Sequence, residues 1–331
     1  MDFEIFGIIL ALLSGTLFLW KSGDYAITYI IQITTLYKLT TLFSGFVLMS
    51  FSTGIPELAV TLNAILNNAE QVSLGDIIGS NIIDITLVIG IAVLSVGTIC
   101  IPKRDYSNIV IIHLIATIST ILVFFFDNLT KWHGLGLILV YFGSLLWIWK
   151  TEIIFRGKIE KLQEKINNIA ETRINSKIIF WIKTKTIIKF FLSMIVVVIS
   201  SKVVVLSSIF LSKKFGLSLE VVGTTILAIG TSLPELSLSI NATRKKEYSL
   251  VLSSCLGSVI EQGTFIIGVL ALSSKNRVSI TPLRTAIPFT LAAFVVTGYC
   301  IIKPKKLSKV AAIILLIIFV LFVVSQIIFM K

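Results

Sequence analysis

Charge is scarce in this 331-residue chain: Asp, Glu, Lys and Arg together make up only 14% of it. Soluble domains carry roughly 25%. So few charges cannot cover a water-facing surface, which excludes an ordinary cytosolic enzyme and a disordered chain. Cysteine is rare too. Cys100, Cys255 and Cys300 lie in or beside apolar runs and form no C-x-x-C or Cys/His spacing. That excludes a disulfide scaffold and a structural zinc site. Histidine is nearly absent. His113 and His133 are isolated and no H-E-x-x-H occurs, so an intramembrane metalloprotease has no ligand set; both histidines read as structural or interfacial.

What the chain does have is apolar length. Hydrophobic residues make up 56% and the mean hydropathy is +0.98. A helix crossing a bilayer needs roughly 20 mainly apolar residues, and about ten such runs are present. They cover 3–20, 39–66, 72–97, 107–126, 132–150, 187–211, 217–242, 248–273, 280–302 and 308–329. The first opens with Asp2 and Glu4 rather than a basic segment and has no small-residue cleavage site after it, so it reads as a span rather than a signal peptide. One extended polar stretch, 151–186, divides the chain. It is too short to bury a core of its own and reads as a cytoplasmic connector. The expected organisation is a first five-helix half at 1–150, the connector, and a second half at 187–331. The fold class is an all-α integral membrane protein.

Positive charge is uneven between loops. With both termini outside the cell membrane, 21 of the 29 Lys and Arg residues fall on the inside and seven outside. Lys202 lies within a span and reads as a snorkelling side chain. The bias matches the positive-inside rule, and it accounts for the net charge of +12 without nucleic acid. Trp132, Trp147, Trp149 and Trp181 fall near expected interfaces.

An internal repeat organises the rest. Residues 45–57 read GFVLMSFSTGIPE and residues 223–235 read GTTILAIGTSLPE, an offset of 178. The same offset aligns Asn63-Ala64 with Asn241-Ala242, Gly79-Ser80 with Gly257-Ser258, and Gly90 with Gly268, with no insertion. The repeats span about 45–90 and 223–268. The copies open the second and seventh spans. Five crossings is an odd step, so they must run antiparallel across the bilayer. The expectation is two inverted five-helix repeats with a site near the midplane, as in many secondary transporters.

The repeat carries acids at depth. Glu57 and Glu235 sit in the middle of apolar helices, where an ionisable group is costly and points to function. Inverted symmetry brings the two carboxylates together, and in low dielectric they need a cation or protons. Pro56 and Pro234 cannot donate and clash with the preceding turn, freeing the carbonyls of Ser52 and Gly230 and disturbing those of Thr53 and Thr231. Freed carbonyls at membrane depth must line a site. Carbonyls, the hydroxyls of Thr53, Thr231 and Ser232, and two carboxylates suit a hard cation. The second helices of the repeats add Ser80 and Asp84 on one face and Ser258 and Gln262 on the equivalent face. Asp76, Asn81 and Glu261 are further polar residues at or near these helices, with weaker claims on the site.

These motifs resemble the α-repeats of the sodium/calcium exchanger family, within the cation/calcium exchanger superfamily. The resemblance rests on GTTILAIG-TSLPE at 223–235 and GSNIID at 79–84. It implies a Na⁺/Ca²⁺ antiporter working by alternating access, with a diamond of central cation sites. By position it suggests Glu57 and Glu235, with the carbonyls of Thr53 and Thr231, for Ca²⁺. It suggests Thr231, Ser232, Glu235, Ser80 and the carbonyl of Ala228 for the outward-side Na⁺. Glu57, Ser258 and the carbonyl of Ser50 fit the inward-side Na⁺, and Asp84 and Gln262 the middle position. The chain departs from the family pattern at Gly54, usually Ser, at Val259, usually Asn, and in its Asp84/Gln262 pair, against Asn and Asp in similar prokaryotic members. A Ca²⁺/H⁺ antiporter is the alternative, and a non-coupled channel would be separated by its indifference to the counter-ion. The expected partners are transported cations and lipid only, with a monomer, no cofactor and no enzymatic activity.

Overall fold

The computed structural model describes residues 3–36, 54–101, 103, 106–147, 150, 176–244, 246 and 248–328. Among these residues the chain is helical almost throughout. The helices are α1 (Phe3–Leu36), α2 (Ile55–Leu66), α3 (Glu70–Val96), α4 (Tyr106–Phe124), α5 (131–147), α6 (Ser176–Phe215), α7 (Leu219–Arg244), α8 (Tyr248–Ser273), α9 (Thr281–Ile302) and α10 (Lys309–Ile328). Eight of them are long and apolar enough to cross a membrane. The protein is an all-helical, multi-span membrane protein.

Two expected boundaries move. The first helix was expected to end near residue 20 but continues to Leu36, through Lys21 and Asp24. The polar connector was expected to run to 186, yet 176–186 are already helix, the first turns of α6. Both extensions put polar residues on helices that outrun the hydrocarbon. Residues 151–175 of the connector lie outside the described residues.

Two short ribbons fix the topology. Thr98–Cys100 (β1) pairs antiparallel with Lys306–Ser308 (β4), and Asn128–Leu129 (β2) with Val278–Ser279 (β3). β1 and β2 are separated by one crossing, α4, so the ribbons lie on opposite faces. α3 leads into β1 and α8 leads into β3, so α3 and α8 end on opposite faces and run antiparallel. This is the inversion expected from the repeat. The two ribbons are also counterparts: Ile101 N–H donates to Lys305 O (3.0 Å) and Ile280 N–H to Asp127 O (2.9 Å). Asp127 and Lys305 are themselves 178 residues apart. The exposed Arg284–Asp127 ion pair (2.5 Å) closes the second ribbon.

Burial follows the repeat. In the apolar windows of α3 and α8, 83% of residues are buried, against 22% for α1 and 33% for α10. The inner helices are therefore the second helices of the two repeats, and α1 and α10 turn large side chains such as Leu10, Phe18, Ile317 and Leu321 outward. Lys202 is exposed on α6, consistent with a snorkelling side chain. Trp132 and Trp181 are also exposed. His113 is buried, bonded through Nε2 to Thr297 Oγ1 (3.0 Å) and edge-on to Phe294, a structural role.

Glycine permits the closest crossing. α3 lies backbone to backbone against the first half of α7. A Cβ at Gly79 would meet Thr224 O and the Ala228 methyl at 2.6 Å, and one at Gly75 or Gly223 would strike the carbonyl of Glu220 or Val72. Small residues at helix interfaces do this work in membranes, where packing rather than water drives association. Gly223→Val should therefore cost about 1–3 kcal/mol through forced separation of α3 and α7. A thermal melt of the detergent-purified protein would read this as a lower midpoint, and an unchanged midpoint would contradict the crossing.

Candidate cation site

The site is built where a helix of the second repeat breaks and where its counterpart in the first repeat begins. α7 is interrupted at Ser232, between Thr231 and Leu233. In the first copy, Gly54 occupies the equivalent position and α2 begins at Ile55. Each proline follows its break within the first turn, where its missing N–H costs no helical hydrogen bond. Glu57 and Glu235 thus lie in the first turns of half-helices whose N-terminal dipoles face the protein centre. Both are completely buried. A Cβ on Gly23 of α1 would touch the Pro56 ring at 3.3 Å and the Pro234 ring at 3.4 Å, so the starts of the two half-helices meet at a single point beside α1.

The carboxylates converge there. Glu235, Asp76 and Asp84 all lie within electrostatic reach of Glu57. Among the described residues no side-chain donor reaches either carboxylate oxygen of Glu57. Glu235 Oε1 accepts from Ser258 Oγ (3.3 Å), whose oxygen in turn accepts from Gln262 Nε2 (2.9 Å). Asp84 faces Ser258, Ser232 and Gln262. Across the helix crossing, Thr231 Oγ1 donates to Asp76 Oδ1 (2.9 Å) and lies 3.1 Å from Ser80 Oγ. Buried carboxylates without donors demand a proton or a cation.

Placement of the expected residues can therefore be stated one by one. Glu57, Glu235, Asp84, Ser80, Thr231, Ser232, Ser258 and Gln262 are all buried in one connected polar region. Ser258 contacts Glu235 rather than Glu57, and Ser232 stands beside Asp84. The Ala228 carbonyl accepts from Ser232 N–H (3.1 Å) and Thr231 Oγ1 (3.4 Å). Thr53 and Ser50 lie outside the described residues. Asp76 joins the same polar region through Thr231; its repeat counterpart is Ser254, so the acid appears in one repeat only. Its signal was its spacing of four residues from Ser80, one turn along the same helix face.

Local helix geometry supports the inner wall. Both second helices carry a π-helical turn, Asp84–Val88 and Glu261–Ile266. In each, a threonine donates back to the carbonyl four residues earlier, Thr86 to Ile82 and Thr264 to Ile260. Such bulges often mark functional sites, because they re-aim side chains that an unbroken helix would stack. Here they set Asp84 and Gln262 toward the breaks. Among the described residues no three acidic, histidine or cysteine side chains cluster tightly enough to hold one metal ion. An ion at the centre would take the paired carboxylates and fill its shell with hydroxyl, amide and carbonyl oxygens, a hard-cation donor set.

The profile of the sodium/calcium exchanger protein family matches residues 7–150 and 185–328. The chain belongs to that family. The sodium/calcium exchanger MaX1 of Methanosarcina acetivorans is 27% identical over 353 residues, covering 95% of this chain and 97% of that one. The inner membrane protein YrbG of Escherichia coli is 25% identical, covering 81% and 80%. The fold matches the sodium-calcium exchanger NCX_Mj soaked with 10 mM Na⁺ and zero Ca²⁺, with a TM-score of 0.66, 20% identity and coverage of 97% and 99%. The protein is a membrane cation exchanger, and the family to which it belongs consists of transporters rather than enzymes.

Thr231 is the hinge of the polar network, because its hydroxyl touches both Asp76 and Ser80. Thr231→Val should leave those groups unpaired and lower the thermal midpoint by an amount equivalent to about 1–3 kcal/mol. Thr231→Ser should preserve it. Equal melts for the two variants would show that the hydroxyl is not bridging α3 and α7.

Proposed function

We infer that this exchanger moves Ca²⁺ against Na⁺ across the cell membrane by alternating access, with Glu57 and Glu235 as the shared acids of the central site. The observation that carries the reading is the burial of both carboxylates in the first turns of the two repeat half-helices, with no side-chain donor on Glu57 among the described residues. Ca²⁺, or more than one Na⁺, neutralises the same acids. Only the neutralised site can change its exposure between the two faces, since bare carboxylates cannot lose water without compensation. The carbonyls of Thr53 and Thr231 complete the Ca²⁺ shell. Thr231, Ser232, Glu235, Ser80 and the Ala228 carbonyl serve Na⁺ on the outward side; Glu57, Ser258 and the Ser50 carbonyl serve it on the inward side. Asp84 and Gln262 occupy the middle position, and Asp76 supports Thr231. Both termini lie outside and the polar connector inside, in keeping with the positive charge of that connector. The chain acts as a monomer and needs no cofactor.

Protons are the second reading for the counter-ion. Gly54 offers no hydroxyl where Ser232 stands in the other repeat, and a site short of a hydroxyl is a poorer Na⁺ shell. The acids can carry protons instead.

Radiolabelled Ca²⁺ uptake into proteoliposomes, under separate Na⁺, K⁺ and H⁺ gradients, distinguishes these cases. An outward Na⁺ gradient should drive uptake, and Glu57→Gln or Glu235→Gln should abolish it. Uptake driven by a pH gradient without Na⁺ would establish proton coupling. Intact Na⁺-driven uptake in either variant would end the assignment of the paired acids.

A further inference from the structure

Two departures from the internal symmetry of this chain touch each other. Position 54 is Gly where its counterpart, 232, is Ser, so the first repeat lacks a hydroxyl at its helix break. Position 261 is Glu where its counterpart, 83, is Ile, so the second repeat has gained an acid. The positions are 207 residues apart in sequence and adjacent in space. A Cβ built on Gly54 would fall 2.7 Å from Glu261 Oε1, 2.8 Å from Cδ and 2.9 Å from Oε2. The carboxylate therefore lies flat over the glycine, in the volume that a side chain from position 54 would fill. Any larger residue at 54 would collide with it.

The environment of Glu261 is that of a ligand rather than of a core side chain. The residue is 1% exposed, and among the described residues Oε2 has no hydrogen-bond donor. The hydroxyl of Tyr141, on α5, is also buried, has no partner among the described residues and lies within electrostatic reach of this carboxylate. The π-helical turn that begins at Glu261 displaces it from the regular helix path. Gly54 precedes the first turn of α2, so the carboxylate rests at the N-terminal end of the half-helix that carries Glu57. That end favours an anion. A single carboxylate near one hydroxyl suits a monovalent cation better than Ca²⁺, which takes about 6–8 oxygens.

We propose that Glu261 is a ligand for Na⁺ on the first-repeat side of the site, its carboxylate standing where the absent side chain of residue 54 would have offered a hydroxyl. The exchange of Ser for Gly and of Ile for Glu is one compensated change. It replaces a neutral oxygen by a charged one and binds the counter-cation more tightly on that side. The proposal rests on the Na⁺ reading above and deepens it.

Two variants and one swap test it. Glu261→Gln keeps the shape and removes the charge; half-saturation for Na⁺ should rise roughly tenfold, as expected for loss of one charged ligand. Gly54→Ser alone should collide with the carboxylate and weaken both Ca²⁺ flux and Na⁺ binding. The double variant Gly54→Ser with Glu261→Ile copies the Ser232/Ile83 arrangement of the opposite half and should recover flux. Radiolabelled Na⁺ binding to detergent-purified protein, checked for monodispersity, is measured beside Ca²⁺ flux in proteoliposomes. Unchanged Na⁺ half-saturation in Glu261→Gln, or a double variant no better than Gly54→Ser, would overturn the proposal. Failure of the wild type to move Ca²⁺ under a Na⁺ gradient would instead overturn the functional reading, and the binding measurement would still decide the role of Glu261.

Discussion

Negative charge buried without its own compensation is the constraint on which this structure depends. Glu57 and Asp84 are sealed from water and stand close to Glu235 and Asp76, and among the described residues no side-chain donor reaches Glu57. In a low-dielectric interior such a cluster is stable only when a positive species shares it. The scaffold is organised around this condition. Helix breaks bring polar backbone to the centre, glycines let α3 and α7 approach, and π-helical turns re-aim the side chains that face the acids.

The same condition gives a physical basis for coupled exchange. A site that is unfavourable when bare and favourable when filled couples cation binding to the change of access. Its selectivity then depends on how many oxygens of each kind surround the acids, and here the two halves differ. Ser232 is opposed by Gly54, Gln262 by Asp84, and Ile83 by Glu261. Inverted repeats give both faces similar architecture, while these substitutions give each side its own electrostatics.

Much of this could be read from the sequence, because membrane insertion leaves few alternatives. Apolar runs of bilayer length must be helices, and a gapless offset of 178 with an odd number of crossings dictates inversion. Glu57 and Glu235 stood out because each is an acid in the same apolar frame. Asp76 was harder to see, since its partner is a serine, and its role emerges only from the non-local contact with Thr231. The meeting of Gly54 with Glu261 is likewise a tertiary fact: each residue alone reads as an isolated departure from the pattern. Two- and three-residue strands such as β2 and β1 carry no periodicity at all, and the overlong α1 was hidden by Lys21 and Asp24, which look like the end of a helix but sit within it.

The position of Gly23 has a mechanical consequence. It is the one point on α1 where a missing side chain lets a single helix rest on both proline rings, one from each half. Both half-helix starts therefore abut the same short stretch of α1, and a side chain at position 23 would press on the two prolines at once.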